Sequence, residues 1–258
     1  MTGHKTVNTS ADGSVFTIVI DHPPVNAIDP QTLFELESAV EEFSSEPVYR
    51  VAILASANLT VFVSGADVLA FAGMVKTGKI GEFVLRGQAL FNKIAASPKP
   101  IIAAINGLAL GGGLELAMAC SLRIASERAK LGLPEINLGI LPGWGGTQRL
   151  PRIVGSTRAA EMILLGETIS AQEAFRLNLV NRLVPRSEVL GTAQAIAKKI
   201  AGKSEAAVRA ALESIRAAME TEFEKGLAIE AREIIALVES EEAQEKMRAF
   251  LEKHTLAA

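Results

Sequence analysis

Three short apolar runs place the strongest limit on how this chain can fold. They read RVAILAS (50–56), KPIIAAING (99–107) and LRIAS (122–126). Each run has the length of one strand and lacks polar alternation, which is typical of a strand buried on both faces. Helical segments lie between the runs, notably over residues 81–96. Strands that alternate with helices predict an α/β core.

The N-terminal region fits the same class. SVFTIVID (14–21) is rich in β-branched residues and predicts a strand, and HPPVNAID (22–29) predicts a loop. A helix is predicted from Asp29, because Pro30 suits the first helical position. Apolar residues then recur at helical spacing, namely Leu33, Leu36, Val40 and Phe43.

The sequence pattern changes after Gly155, where the predicted elements become mainly helices. Two short helices are predicted over 156–166 and 170–180, and nearly everything from residue 188 onward is amphipathic, alanine-rich helix. Such helices at a chain end usually pack against either the core or another subunit. No clean sequence repeat is visible.

Composition excludes several classes of protein. The 258 residues carry a net charge of −3 and a pI near 5.8, which argues against a nucleic-acid partner recognised by bulk charge. Cys120 is the only cysteine, so no intrachain disulfide can form and a reducing compartment is expected. It is read as a small core residue. The N-terminus lacks the order of a signal peptide, and a cytoplasmic protein is predicted.

The run over residues 100–120 has roughly the length of a membrane span. Asn106, a run of glycines and Glu115 interrupt it, however, and a carboxylate there would cost several kcal/mol in a bilayer. The run is therefore interpreted as a buried strand, a turn and a buried helix. Neither a metal site nor a nucleotide-binding fingerprint is predicted, because no histidine, cysteine or glycine spacing supports one.

GLALGGGLELAMAC (107–120) is the first stretch that could carry chemistry. Glycines just before a helix let backbone N–H groups approach a ligand at the positive end of the helix dipole. With VSGADV (63–68), such groups could form an oxyanion hole. Alternatively, the glycines only permit tight turns, and spacing alone favours that interpretation. Glu115 either compensates the dipole or is a buried carboxylate of raised pKa, which would make it a candidate acid or base.

Glu135 is a second candidate acid or base. It follows Pro134 in LGLPEINLGILPGWGGTQRLPR (131–152). Paired carboxylates can share acid–base work. Glu135 could equally be a plain loop or helix-start residue, and spacing alone does not show that it meets Glu115.

The block over residues 96–155 resembles the signature region of the enoyl-CoA hydratase (crotonase) family. FVSGADV lies at the expected distance upstream, and HPPVNAI resembles the family's N-terminal loop. The resemblance extends over essentially the whole chain. It implies that the backbone N–H groups of Ala66 and Gly112 hold a thioester oxygen. It also implies that Glu115 activates water and that Glu135 passes a proton to C2, giving syn addition.

The resemblance further implies contacts to coenzyme A. Leu69 stands where many relatives carry a phosphate-binding lysine, while Lys253 matches a C-terminal lysine that can reach the phosphates. Lys253 could equally be a solvated helix-end residue. Trp144 is expected near the site as a wall or core residue. The other expected substrate contacts are Val25, Ala27, Ser64, Asp67 and Val68.

The implied architecture is a crotonase-like spiral of ββα turns over residues 1–190, followed by a helical oligomerisation domain over 191–258. A homotrimer or a homohexamer of two trimers is expected. The implied activity is enoyl-CoA hydration in metabolism of the fatty-acid β-oxidation type, with no cofactor beyond the CoA of the substrate. Alternatives are a Δ3,Δ2-enoyl-CoA isomerase, a hydratase for a branched substrate such as methylglutaconyl-CoA, and a catalytically silent RNA-binding relative.

Overall fold

A computed structural model describes the backbone of residues 5–255 and the side chains of residues 5–252. The chain divides into two compact units, Met1–Lys199 and Ile200–Ala258. The division of roles predicted at residue 190 stays a prediction.

The first unit contains all the strands found over residues 5–255. In chain order they are β1 (Val7–Asp12), β2 (Val15–Ile20), β3 (Ala27–Ile28), β4 (Val51–Ser56), β5 (Val61–Val63), β6 (Gly65–Ala66), β7 (Ile101–Ile105), β8 (Leu108–Leu110), β9 (Leu122–Ser126), β10 (Lys130–Gly132), β11 (Thr168–Ser170) and β12 (Arg182–Val184).

The helices of the first unit are α1 (Pro30–Ser45), α2 (Val68–Lys76), α3 (Ile80–Ala95), α4 (Gly112–Ala119), α5 (Gly146–Val154), α6 (Ser156–Leu165), α7 (Ala171–Arg176) and α8 (Val189–Ala201). The last of these runs two residues into the second unit. Two 3-10 turns, Pro134–Leu138 and Arg186–Glu188, complete the unit.

Two main sheets organise these strands. A six-stranded sheet has the order β1-β2-β4-β7-β9-β12, in which β1 pairs antiparallel with β2 and the other pairs are parallel. A four-stranded sheet has the order β11-β10-β8-β5, and β3 pairs with β6 in a two-stranded sheet. The chain thus repeats one pattern: a strand in the larger sheet, a strand in the smaller sheet, then a helix. The runs β7-β8-α4 and β9-β10 with its 3-10 turn follow it, as does β4-β5-α2 with the short strand β6 inserted before its helix. This repeat is the predicted spiral of ββα turns.

Most of the predicted elements are confirmed. The three apolar runs form β4, β7 and β9, and Asp29 caps α1 by accepting a hydrogen bond from the N–H of Thr32. One interpretation was incomplete, because the turn expected between β7 and α4 contains the strand β8. Cys120 is buried as predicted, and burial raises the pKa of its thiol to about 12.

The second unit is helical as predicted, with α9 (Glu205–Glu220), α10 (Phe223–Val238) and α11 (Glu241–Thr255). None of the residues of α10 is buried in the single chain. Large apolar side chains are exposed along it, namely Phe223, Leu227, Ile234, Ile235 and Val238. Within the described part of the chain, every helix is too short or too polar to cross a membrane.

Candidate active site

Glu115 lies in the first turn of α4, a helix in which every residue is buried. Its side chain is held by a loop from later in the chain. The Oε1 atom accepts hydrogen bonds from the backbone N–H groups of Trp144, at 2.8 Å, and Gly146, at 2.7 Å. Both bonds end on the same oxygen, which leaves Oε2 available for a proton.

The surroundings of Glu115 raise its pKa from 4.5 to about 7. Burial is the largest cause, since a charged carboxylate is poorly solvated there, and the negative charge of Glu135 adds to it. The two backbone hydrogen bonds and the guanidinium of Arg149 act in the opposite direction. A carboxyl group with a pKa near neutrality can both accept and release a proton at physiological pH.

Glu135 lies in the 3-10 turn and approaches the same helix terminus. A Cβ atom added to Gly111 would lie 2.8 Å from its Oε1 atom. Its Oε2 atom is buried and has no hydrogen-bond partner among the described residues. Burial raises the pKa of this carboxyl as well. The structure therefore brings together the two carboxylates that sequence spacing could not connect.

Ala66 and Gly112 also meet, as the resemblance implies. Gly112 is the first residue of α4, so its N–H group has no acceptor within the helix. A Cβ atom on Gly112 would lie 3.5 Å from the nitrogen of Ala66, and one on Gly65 would lie 3.4 Å from the nitrogen of Gly112. The two glycine-containing loops are in direct contact beside the carboxylates. This arrangement fits a pair of oxyanion donors.

The loop that contains Trp144 is held by side chains of α3 and α5 that were not among the predicted site residues. Arg149 donates to the carbonyl of Trp144 at 2.9 Å and to Asn92 Oδ1 at 2.6 Å. Gln88 donates to the carbonyl of Gly143 at 2.8 Å. These bonds position the two N–H groups that hold Glu115. No local pattern marks Arg149, because its partners lie in other elements.

The predicted substrate contacts from two N-terminal segments lie side by side. Ala27 pairs with Gly65 in the ladder between β3 and β6, and the N–H of Ser64 donates to the carbonyl of Val25 at 3.3 Å. Asn26, which was also not among the predicted site residues, is 1% exposed. It donates to Ser56 Oγ and to the carbonyls of Ile20 and Phe62, and so anchors the loop.

Two of the remaining predicted contacts, Asp67 and Val68, lie at the start of α2. The Asp67 carboxylate caps α2 by accepting from the N–H of Ala70 at 2.8 Å, so its side chain has a local structural role. Val68 is exposed, and so is Leu69, which stands where many relatives carry the lysine. The side chain of Lys253 lies outside the described residues.

Comparison with known proteins identifies the family. Residues 10–257 match the family model for "Enoyl-CoA hydratase/isomerase". The chain is 43% identical to a probable enoyl-CoA hydratase of Bacillus subtilis, with 96% of each chain covered. It is 42% identical to a crotonyl-CoA hydratase of Syntrophomonas wolfei, covering 89% of this chain and 88% of that protein.

A solved structure shows the same fold. The enoyl-CoA hydratase of Bacillus anthracis superposes with a TM-score of 0.91 at 38% identity, with 96% of each chain covered. The resemblance inferred from the sequence is thereby confirmed, together with the crotonase-like fold. The chain belongs to the enoyl-CoA hydratase/isomerase family.

Proposed function

We propose that this chain is an enoyl-CoA hydratase, which adds water across the C2–C3 double bond of a trans-2-enoyl-CoA to give a 3-hydroxyacyl-CoA. The observation that carries the proposal is the pair Glu115 and Glu135 at one helix terminus, both with raised pKa values. Hydration needs one group to accept a proton from water and another to deliver a proton to carbon, and the pair supplies both.

The thioester oxygen would lie between the N–H groups of Ala66 and Gly112. As water attacks C3, negative charge moves through the conjugated system to that oxygen. The two donors and the positive end of the α4 dipole stabilise it there. The loop contacts around Gly65 hold the donors in place before the substrate arrives.

The proton transfers follow from the two carboxyl groups. Ionised Glu115 accepts a proton through Oε2 while the water oxygen bonds to C3. Protonated Glu135 delivers its proton to C2, and both transfers on one face give syn addition. A proton then passes from Glu115 to Glu135, directly or through solvent, which restores the starting state. Since the two groups interact, their titration belongs to the pair.

The substrate is proposed to be a short-chain acyl-CoA in metabolism of the fatty-acid β-oxidation type, with CoA as part of the substrate and no separate cofactor. The crotonyl-CoA hydratase among the relatives supports a short acyl chain. A homotrimer or homohexamer is proposed, supported by the exposed apolar residues of α10. The cytoplasmic location stays a prediction. No observation favours the isomerase, branched-chain or RNA-binding alternatives.

The test is hydration of crotonyl-CoA, followed as loss of the absorbance of the conjugated thioester. The purified protein should remove this absorbance and form 3-hydroxybutyryl-CoA. A 3-enoyl-CoA supplied in parallel detects isomerase activity. Folded protein that isomerises the second substrate and hydrates no trans-2-enoyl-CoA would contradict the proposal.

A further inference from the structure

The indole of Trp144 occupies a slot between two glycines. A Cβ atom on Gly87, in α3, would overlap the pyrrole ring at Nε1, and one on Gly112 would lie 2.5 Å from Cζ3 of the six-membered ring. Any larger residue at either position would collide with the indole. The absence of side chains at these two positions is therefore what allows a tryptophan to lie here.

Two further aromatic rings close the slot. Phe83 and Phe91 contact the indole edge-on, with ring centroids 5.3 Å and 5.4 Å away. Trp144 is 4% exposed, so its neighbours enclose almost the whole side chain. The indole is thus a fixed wall.

This wall borders the reacting groups. The backbone N–H of Trp144 binds Glu115, and its ring lies against Gly112. In the proposed function, C3 of the substrate lies at Glu115 and the C1 oxygen lies at Gly112. An acyl chain that continues beyond C3 on the side of the indole would meet this wall.

We propose that Trp144 determines the acyl-chain length that the enzyme accepts, by closing the space between α3 and the start of α4 to substrates with long chains. The inference rests on the proposed function, which it deepens. Removing the indole would leave a space lined by Phe83, Phe91 and Gly87, continuous with the site, into which further methylene groups could extend.

The test is a series of kcat/KM values for trans-2-enoyl-CoA substrates of four, six, eight and ten carbons. We expect the wild type to lose activity as the chain lengthens. Trp144→Ala should raise the ratio of the eight-carbon to the four-carbon value by about tenfold or more, the effect of one or two methylenes in an apolar pocket. Because both substrates share the reacting atoms, the ratio is insensitive to a general loss of activity. Trp144→Phe, which keeps an aromatic ring, should shift the preference less and serves if Trp144→Ala does not fold.

Two control variants distinguish a specific effect of Trp144 on chain-length preference from the effect of a general loosening of the core. Phe43→Leu makes a cavity in the core of the first unit, where Phe43 packs against Phe16, and should leave the ratio unchanged. Gly87→Leu combined with Trp144→Ala refills the slot from α3 and should restore the short-chain preference. An unchanged ratio in the folded Trp144 variants, or a wild type that prefers ten carbons, overturns the inference while hydration itself persists. Absence of hydration for every chain length overturns the proposed function instead.

Discussion

Gly111 leaves room for the side chain of Glu135, because a Cβ atom on Gly111 would lie only 2.8 Å from the Oε1 atom of Glu135. Gly111 also has φ +50° and ψ −126°, a conformation that residues with side chains rarely adopt. Both the backbone and the carboxylate therefore require glycine at this position.

Gly111→Ala should displace Glu135 and reduce kcat by about a hundredfold, the effect of a misplacement of about 1 Å. Gly13→Ala is the matched control, since Gly13 has φ +59° with no atom near its Cβ position. Both variants should lose about 1–2 kcal/mol of stability from backbone strain. Equal activity of the two variants would show that Glu135 does not depend on Gly111.

The raised pKa of Glu115 predicts an effect on stability. The folded state holds this proton up to a pH of about 7, whereas the unfolded state releases it near 4.5. The free energy of unfolding should therefore fall as the pH rises from about 4.5 to 7 and stay reduced above that range. Glu115→Gln keeps an oxygen for the N–H groups of Trp144 and Gly146 but carries no charge.

Glu115→Gln should accordingly be more stable than the wild type at pH 8, and the difference should shrink at pH 5. Denaturant unfolding of both proteins at the two pH values measures this. A variant that is less stable than the wild type at pH 8 would show that the ionised carboxylate is better solvated than its burial indicates.

The raised pKa of Glu115 should also determine the pH dependence of activity. Because Glu115 must be ionised to accept a proton from water, log kcat/KM should rise with a slope near one and level off above about 7. The Glu135 carboxyl, whose pKa is also raised by burial, must be protonated to deliver its proton to C2, so its ionisation should add a falling limb to the profile. A profile without a rising limb between pH 5 and 8 would exclude Glu115 as the base.

Asn26 should be a stability determinant. Replacing it with alanine removes the hydrogen bonds to Ser56, Ile20 and Phe62 and should lower the free energy of unfolding by about 2–3 kcal/mol. The affinity for CoA thioesters should fall as well, because the loop pairs with Ser64. Asn178→Ala is the control, since Asn178 also has a positive φ but is exposed. A similar loss in both variants would assign the effect to backbone conformation alone.

The buried strands and the capped helix α1 were predictable from sequence because their signals are local. β4, β7 and β9 are continuous apolar runs, and Asp29 with Pro30 marks the start of α1. β8 was missed because its three residues lie inside a longer apolar run that looks like a turn and a helix. The ββα repeat is visible only in the order and pairing of the strands and helices, and no clean sequence repeat accompanies it.

The site was predictable only in part. Glu115 stands out as a charge within an apolar helix, but its meeting with Glu135 depends on three-dimensional contacts around Gly111. Arg149 and Asn26 escaped notice because they act through partners up to 57 positions away in the chain. Single-sequence patterns carry no information about such pairs, whereas the resemblance to a family supplied the two carboxylates and the two N–H donors.

The central claim is that Glu115 and Glu135 act together in one hydration reaction, and the kcat of the single and double glutamine variants on crotonyl-CoA tests it most directly. Each single variant should lose about a thousandfold or more in kcat, within the range for acid–base groups, with KM changed little. The double variant should lose little more, because groups that act as a unit are not additive. Glu46→Gln, an exposed control, should match the wild type. If either single variant keeps more than about a tenth of wild-type kcat, the two-carboxylate account is contradicted.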